Sequence, residues 1–189
     1  MKTKTNTKTK TSVPLSNATR LISPGPVVLV TAQYEGVHNV MAAAWTMAIS
    51  HDPLLVGVSI SPDRWTHALI EKGGEFVLNV PEVSLAEQVK FCGTHSGREM
   101  DKFKEANLTP VDAEVVSVPL VGECLGHLEC KVEGSYSLGD HTLFVGRVVA
   151  AHAATGTFAE TWLLADREAR PLHHLGGVHF GALEERIRV

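Results

Sequence analysis

At 189 residues, with 44% apolar and 20% charged side chains, the chain is long enough for one domain with a sizeable core and too apolar to stay unfolded. A formal net charge of −4 argues against general nucleic-acid binding, which needs a basic surface, and no apolar run approaches the roughly 20 residues of a membrane span. The start of the chain lacks the apolar stretch of a signal peptide, and the three cysteines, Cys92, Cys124 and Cys130, are an odd, small set that fits reduced thiols in the cytoplasm.

Met1 to Thr11 alternates lysine with threonine or asparagine. Such a segment cannot bury enough surface to offset its ordering entropy, so residues 1–12 read as a solvated arm and 13–189 as the domain. Pro24-Gly25-Pro26 signals a turn. Val27 to Gln33 is rich in β-branched residues, and Glu35-Gly36 offers a reversal into Asn39–Trp45, which predicts a hairpin. Two strands follow, Leu54–Ile60 and Glu75–Val80, separated by a helix over Thr66–Lys72 that Thr66 caps and Gly73-Gly74 ends. Ser84-Leu85-Ala86-Glu87 has the form of a capping box opening a helix to about Cys92, Gly93 to Gly97 reads as a loop, and Arg98 to Ala106 as a short charged helix.

Strand signals return from Val115. Cys124, Leu128, Cys130 and Val132 share one parity, opposite His127, Glu129, Lys131 and Glu133, so a strand with one buried face is expected there. Gly139-Asp140-His141 marks a turn into a second strand, Thr142–Ala151, completing a long hairpin. Thr155 to Asp166 is ambiguous, and Pro171 to Phe180, rich in glycine and histidine, reads as irregular extended chain. Many antiparallel strands, few helices and no internal repeat predict a single mainly β domain closed as a barrel.

The chemistry concentrates in Asn39–Asn79. Val40 to Trp45 is small and apolar until its final aromatic, which lets a flat molecule lie close to the backbone. Ser61, Arg64 and Thr66 gather hydroxyls and a guanidinium at a helix start, where unpaired N–H groups and the helix dipole favour a phosphate. The same residues also suit a plain helix cap with an exposed arginine. His95, Ser96, Arg98 and Lys102 form a second polar cluster, diluted by Glu99 and Asp101. Cys92-x-x-His95 and Cys124-x-x-His127-x-x-Cys130 match zinc spacings poorly; Cys124 and Cys130 would stand about 20 Å apart on an extended strand, so buried thiols and no metal are expected. His173, His174 and His179 cluster late in the chain as surface, packing or pocket groups. There is no Walker loop and no GxGxxG.

N-V-M-A-A-A-W, D-P-L-L-V-G-V-S-I-S, S-x-x-R-x-T and E-F-V-L-N-V-P, followed by S-G-R-E-M-D-K-F and G-D-H-T-L-F-V-G-R-V, resemble the flavin reductase-like, FMN-binding split-barrel family, from about Leu21 to Phe180. The resemblance implies an FMN-binding split-barrel homodimer, with FAD as an alternative cofactor and NADH or NADPH as co-substrate. It places Ala43, Ala44, Trp45 and Thr46 along the isoalloxazine, and Ser61, Arg64 and Thr66 at the phosphate with Ser96 and Lys102. Asn79, otherwise suited to an Asx-turn before Pro81, is implied as a flavin or ribityl contact, and His141 as a residue facing the nicotinamide. The implied reaction is NAD(P)H-dependent flavin reduction, serving a monooxygenase or another electron acceptor and needing no catalytic acid or base from the protein. A flavoredoxin-like electron carrier and a non-catalytic flavin-binding module stay open. Trp45 leans towards the flavoredoxins and Gly139-Asp140-His141 towards the reductases.

Overall fold

The computed structural model describes residues 10–187. Most of the arm expected at 1–12 therefore lies outside the described residues. A 3-10 helix, Leu15–Leu21, leads through the short strand β1 (Gly25–Pro26) into β2 (Val28–Tyr34) and β3 (Val37–Ala43). Glu35 and Gly36 turn this hairpin with φ of 48° and 78°, a pair of left-handed residues whose twist matches that of the strands they join. Then come β4 (Thr46–His51), β5 (Leu54–Ile60), α1 (Trp65–Gly73), β6 (Glu75–Val80), α2 (Ala86–Thr94) and α3 (Lys102–Glu105). The chain closes with β7 (Pro110–Val111), β8 (Leu120–Val121), the long hairpin β9 (Gly126–Leu138) and β10 (His141–Ala153), and the small hairpin β11 (Leu172–Gly176) and β12 (His179–Ala182).

Seven antiparallel strands form the main sheet in the order β3-β2-β6-β9-β10-β5-β4. Its two edge strands, β3 and β4, are consecutive in the chain and joined only by Ala44 and Trp45. The sheet therefore curls until its edges meet at that link without pairing, which is a split barrel rather than a barrel with no edges. Bulges at Val145/Gly146 and Val148/Ala150 bend β10 around the barrel. A Cβ on Gly146 would lie 2.4 Å from the Phe76 ring, so the wholly buried Phe76 rests directly on that backbone.

The barrel interior is filled by Val28, Val30, Val58, Ile60, Phe76 and Phe144, with Leu69 and Ile70 of α1. A second apolar cluster, including Leu29, Val40, Val89, Cys92 and Phe103, lies between the other face of β2–β3 and the helices α2 and α3. Packing on both faces explains why Val28 to Ala32 of β2 are all buried, with no alternation of apolar and polar positions.

Several local expectations are corrected. Arg64, in extended conformation, holds the cap position of α1 without a side-chain bond, and Thr66 lies inside the helix, wholly buried, its hydroxyl accepting from Asn39 Nδ2 at 2.8 Å. Gly74 does end that helix, at a φ of 70°. Ser84 makes no capping box: a 3-10 turn over Val83–Leu85 intervenes and its hydroxyl bonds the Glu82 carboxylate instead. The charged helix is confined to Lys102–Glu105 because Asp101 caps it, accepting from the Phe103 and Lys104 N–H groups. The segment from Pro171 is a hairpin, not irregular chain; Gly176 and Gly177, at φ of 118° and 60°, make its reversal.

The β9–β10 hairpin also departs from one-face burial. Glu129, on the polar parity, is wholly buried. Its carboxylate accepts from the N–H groups of Glu114, Val115 and Val116 at 2.7–3.1 Å and lies 3.2 Å from His152 Nε2. Burial alone would raise its pKa, but the three backbone donors and His152 outweigh that and hold it below the usual glutamate value. Together with Glu75, which accepts from the N–H and hydroxyl of Ser117, it straps residues 114–117 across the sheet.

Candidate functional site

A cleft of about 600 Å³ opens where the two sheet edges meet. One wall is the end of β3 and its link to β4: Met41, Ala42, Ala43, Ala44 and Trp45. A second is the loop from β5 into α1, with Ser61, Asp63, Arg64 and Thr66. A third is the end of α2 and the following loop, Cys92 to Gly97, with Lys102 behind it. Thr19, Arg20 and Ser23, with His174, Gly176 and Gly177 of the β11–β12 turn, complete the rim.

The loops are braced against one another. Arg98 Nη1 donates to the Asp63 carbonyl at 2.9 Å, and its guanidinium lies over the Trp65 ring at 5.1 Å, tying the segment after α2 to the start of α1. Ser61 Oγ accepts from the Asp63 N–H and Ser96 Oγ from the Arg98 N–H, so each hydroxyl orders its own turn. Gly97 approaches so closely that a Cβ would lie 2.0 Å from Asn39 Oδ1; a side chain there would break the Asn39–Thr66 bond that holds α1 to β3.

Lys102 is nearly wholly buried, its ammonium donating to the carbonyls of Cys92 at 2.9 Å and His95 at 3.2 Å. Burial is the main cause that lowers its pKa to about 8; the Arg64 charge lowers it further, and Cys92 opposes. Burial pushes the Cys92 thiol up to about 11, which keeps it protonated and unreactive near neutrality. Arg64 and Lys102 thus face one cleft as like charges that repel. Among the described residues the N–H groups of Trp65 and Thr66, the first of the nine-residue α1, meet no backbone carbonyl and open at the same place, while that of His67 bonds the Arg64 carbonyl at 3.1 Å. Such a set suits a dianionic phosphate, and the small side chains of Ala42–Ala44 leave room for a flat ring system beside it.

Of the residues singled out in the sequence, Ala43, Ala44, Trp45, Ser61, Arg64, Thr66, Ser96, Lys102 and His141 all line this cleft. His141 Nδ1 lies 2.8 Å from the Asp140 carboxylate, and its ring packs on Trp45 with centroids 4.9 Å apart. Thr46 is half-buried on β4 and does not line the cleft. Asn79 lies elsewhere and is wholly buried. It donates to the Leu29 carbonyl and Thr31 hydroxyl, accepts from the Val121 N–H, and lies 2.9 Å from His127 Nδ1, so its amide joins strands rather than facing the cleft. Asn39, Arg20, Ser23, Gly93 and His174 enter the site without having been singled out for it, except that His174 belongs to the late histidine cluster. No local pattern marks them, because the chain returns to the cleft from distant elements. Among the described residues no group of three or more His, Cys, Asp or Glu side chains is arranged to hold a metal ion, and no helix is long and apolar enough to cross a membrane.

Residues 20–173 match the family model described as the flavin reductase like domain. The chain is 43% identical over 131 residues to an uncharacterized protein of Pyrococcus abyssi, covering 69% of this chain and 75% of that one. It is 35% identical over 181 residues to the uncharacterized protein YddH of Escherichia coli, covering 93% and 95%. Among solved structures it is similar to the FMN-binding protein from Thermus thermophilus with bound p-hydroxybenzaldehyde, at 31% identity and a TM-score of 0.80, covering 97% of this chain and 99% of that one.

Proposed function

Because the chain belongs to the flavin reductase-like family of FMN-binding split-barrel proteins, we propose that it binds FMN in this cleft and works as an NAD(P)H-dependent flavin reductase. The observation that carries the reading is the pairing of Arg64, at the start of α1, with the buried Lys102 across one cleft beside the small residues of β3. On this reading Arg64, Lys102, Ser61, Ser96 and the first N–H groups of α1 hold the phosphate. Thr66 keeps α1 in place through Asn39. Ala43, Ala44 and Trp45 form the surface for the isoalloxazine, and Thr46 opens β4 directly after them. When bound, the flavin supplies the acceptance of a hydride and its release as electrons. The protein's own part is to bind, orient and exclude water; no acid or base is required, and the high pKa of Cys92 keeps that thiol out of the chemistry.

His141 fits the nicotinamide-facing role. With Nδ1–H donated to Asp140, Nε2 is an acceptor in the neutral ring and a donor when protonated. A homodimer is part of the same reading: β4, an edge strand, exposes Met47 and Ile49 next to the exposed Trp45 of the preceding link, apolar groups that a second copy would cover.

The test is anaerobic. Purified protein reconstituted with FMN is mixed with NADH or NADPH in a stopped-flow instrument, and the visible flavin band is followed. Fast bleaching supports the reductase. Tight FMN binding without bleaching would instead favour an electron carrier, and no FMN binding would remove both.

A further inference from the structure

Arg20 lies in the last turn of the 3-10 helix, at the rim of the cleft, and is exposed. Among the described residues no carboxylate lies within ion-pairing distance of it and no acceptor takes a hydrogen bond from its guanidinium. Its stem is nevertheless seated. Gly176 comes so close that a Cβ there would lie 3.0 Å from Arg20 Cδ, and its φ of 118° is one that residues other than glycine rarely adopt. The two residues belong to elements more than a hundred and fifty positions apart, so the β11–β12 turn provides a bare backbone platform on which the arginine stem lies. His174 and Gly177 of the same turn share that rim, with the His174 ring held 3.1 Å from the Gly177 carbonyl through Nε2. Asp63 is the one carboxylate lining the cleft among the described residues. Arg20 also comes from different elements than the phosphate wall: Arg64 precedes α1 and Lys102 opens α3, whereas Arg20 lies on the 3-10 helix against the β11–β12 turn.

We infer that Arg20, seated on Gly176, recognises an oxyanion on the second substrate, the molecule that exchanges electrons with the bound cofactor, and that this substrate is therefore a diphosphate or a carboxylate. The inference rests on the reading that Arg64 and Lys102 hold the cofactor's own phosphate. A planar fork on a fixed stem suits either oxyanion, because little rotamer freedom is left to lose on binding. Its position on a different wall would bring the second substrate in from the β11–β12 side.

The FMN-loaded protein is titrated, by the change in flavin absorbance, with ADP-ribose, which carries a diphosphate without nicotinamide, and with benzoate, which carries a carboxylate. Wild type is compared with Arg20→Ala and Arg20→Lys; the residue is exposed, so both variants should fold. One ligand should bind wild type, weaken by about tenfold or more in Arg20→Ala, recover in part in Arg20→Lys and weaken with salt. ADP-ribose alone assigns a nucleotide substrate, benzoate alone an organic acid. Equal binding by wild type and Arg20→Ala, or no binding of either ligand, overturns the inference. So does a loss of FMN affinity in Arg20→Ala, which would move Arg20 to the phosphate wall. If wild type fails to bind FMN, the proposed function fails by itself, and the same titrations followed by calorimetry on the flavin-free protein still decide whether Arg20 binds an oxyanion.

Discussion

Lys102 reaches back to the end of α2 and donates to the Cys92 carbonyl at 2.9 Å, so a cation buried by the fold closes the negative end of one helix while it faces the cleft at the start of another. Burial and Arg64 bring its pKa to about 8. A bound phosphate would reverse the balance, because an anion beside Lys102 favours its charged form. FMN binding should therefore take up a proton when the pH lies above about 8, and affinity should fall as pH rises through that value. Riboflavin, with no phosphate, should show no such fall. Fluorescence titrations of both ligands from neutral to alkaline pH check this, and parallel curves for the two would sink the phosphate role of Lys102.

Arg64→Ala should weaken FMN by about tenfold or more, because a charge-assisted hydrogen bond contributes roughly 1.5–3 kcal/mol. Riboflavin affinity should stay close to wild type. Arg64 holds the cap position of α1 without a side-chain bond, so its removal leaves the helix start intact. Equal losses for the two ligands would make Arg64 a structural residue.

Glu129 should contribute to acid sensitivity. Its folded pKa is depressed, so its contribution is fully present above the unfolded value and is lost as pH falls through the folded one. Glu129→Ala leaves the N–H groups of Glu114, Val115 and Val116 without their acceptor and should cost about 3 kcal/mol or more. Denaturant melts at neutral pH and near pH 3 check both parts. The difference between wild type and variant should shrink in acid, and a constant difference would mean that the carboxylate charge contributes nothing.

Asn79→Ala separates the two uses of that residue. With four partners inside the protein, the amide should matter to stability, at about 2 kcal/mol or more, and not to the FMN dissociation constant measured well below the melting temperature. A normal melting temperature with weakened FMN would restore a flavin contact.

What the sequence made legible is local. Leu54–Ile60 and Glu75–Val80 were readable to the residue because β-branched runs end abruptly at proline and glycine. The first two cleft walls were readable because each is a contiguous stretch, β3 running into β4 and β5 running into α1. Glu129 was not readable: an alternating strand predicts a solvated face, and only the strap at 114–117, which has no apolar period of its own, covers it. The partners of Asn79 were not readable for a related reason. An asparagine before a proline at a strand end looks like a turn or a ligand contact, and its true neighbours, Leu29, Thr31, Val121 and His127, lie more than forty residues away. Arg20 and Gly176 meet only through the fold, so neither carries a signal in its own segment.

On the proposed reading, His141 would meet the second substrate from the hairpin side. It opens β10 directly after the Gly139-Asp140 turn, with Gly139 at a φ of 65°. Asp140 holds Nδ1 and Trp45 supports the ring face, so the imidazole is fixed in orientation with Nε2 left for a partner in the cleft. A hydrogen bond from such a group contributes about 1 kcal/mol, so His141→Ala should raise the KM for NADH several-fold with little change in kcat. FMN affinity should hold, since the phosphate wall is built from other elements. The packing on Trp45 adds a complication that a second variant resolves. His141→Phe keeps a ring against Trp45 but carries no nitrogen. If the hydrogen bond matters, Phe should behave like Ala; if the ring only props Trp45, Phe should behave like wild type, and the nicotinamide role would pass to another residue. A loss of FMN in both variants would instead place His141, together with Trp45, at the flavin itself.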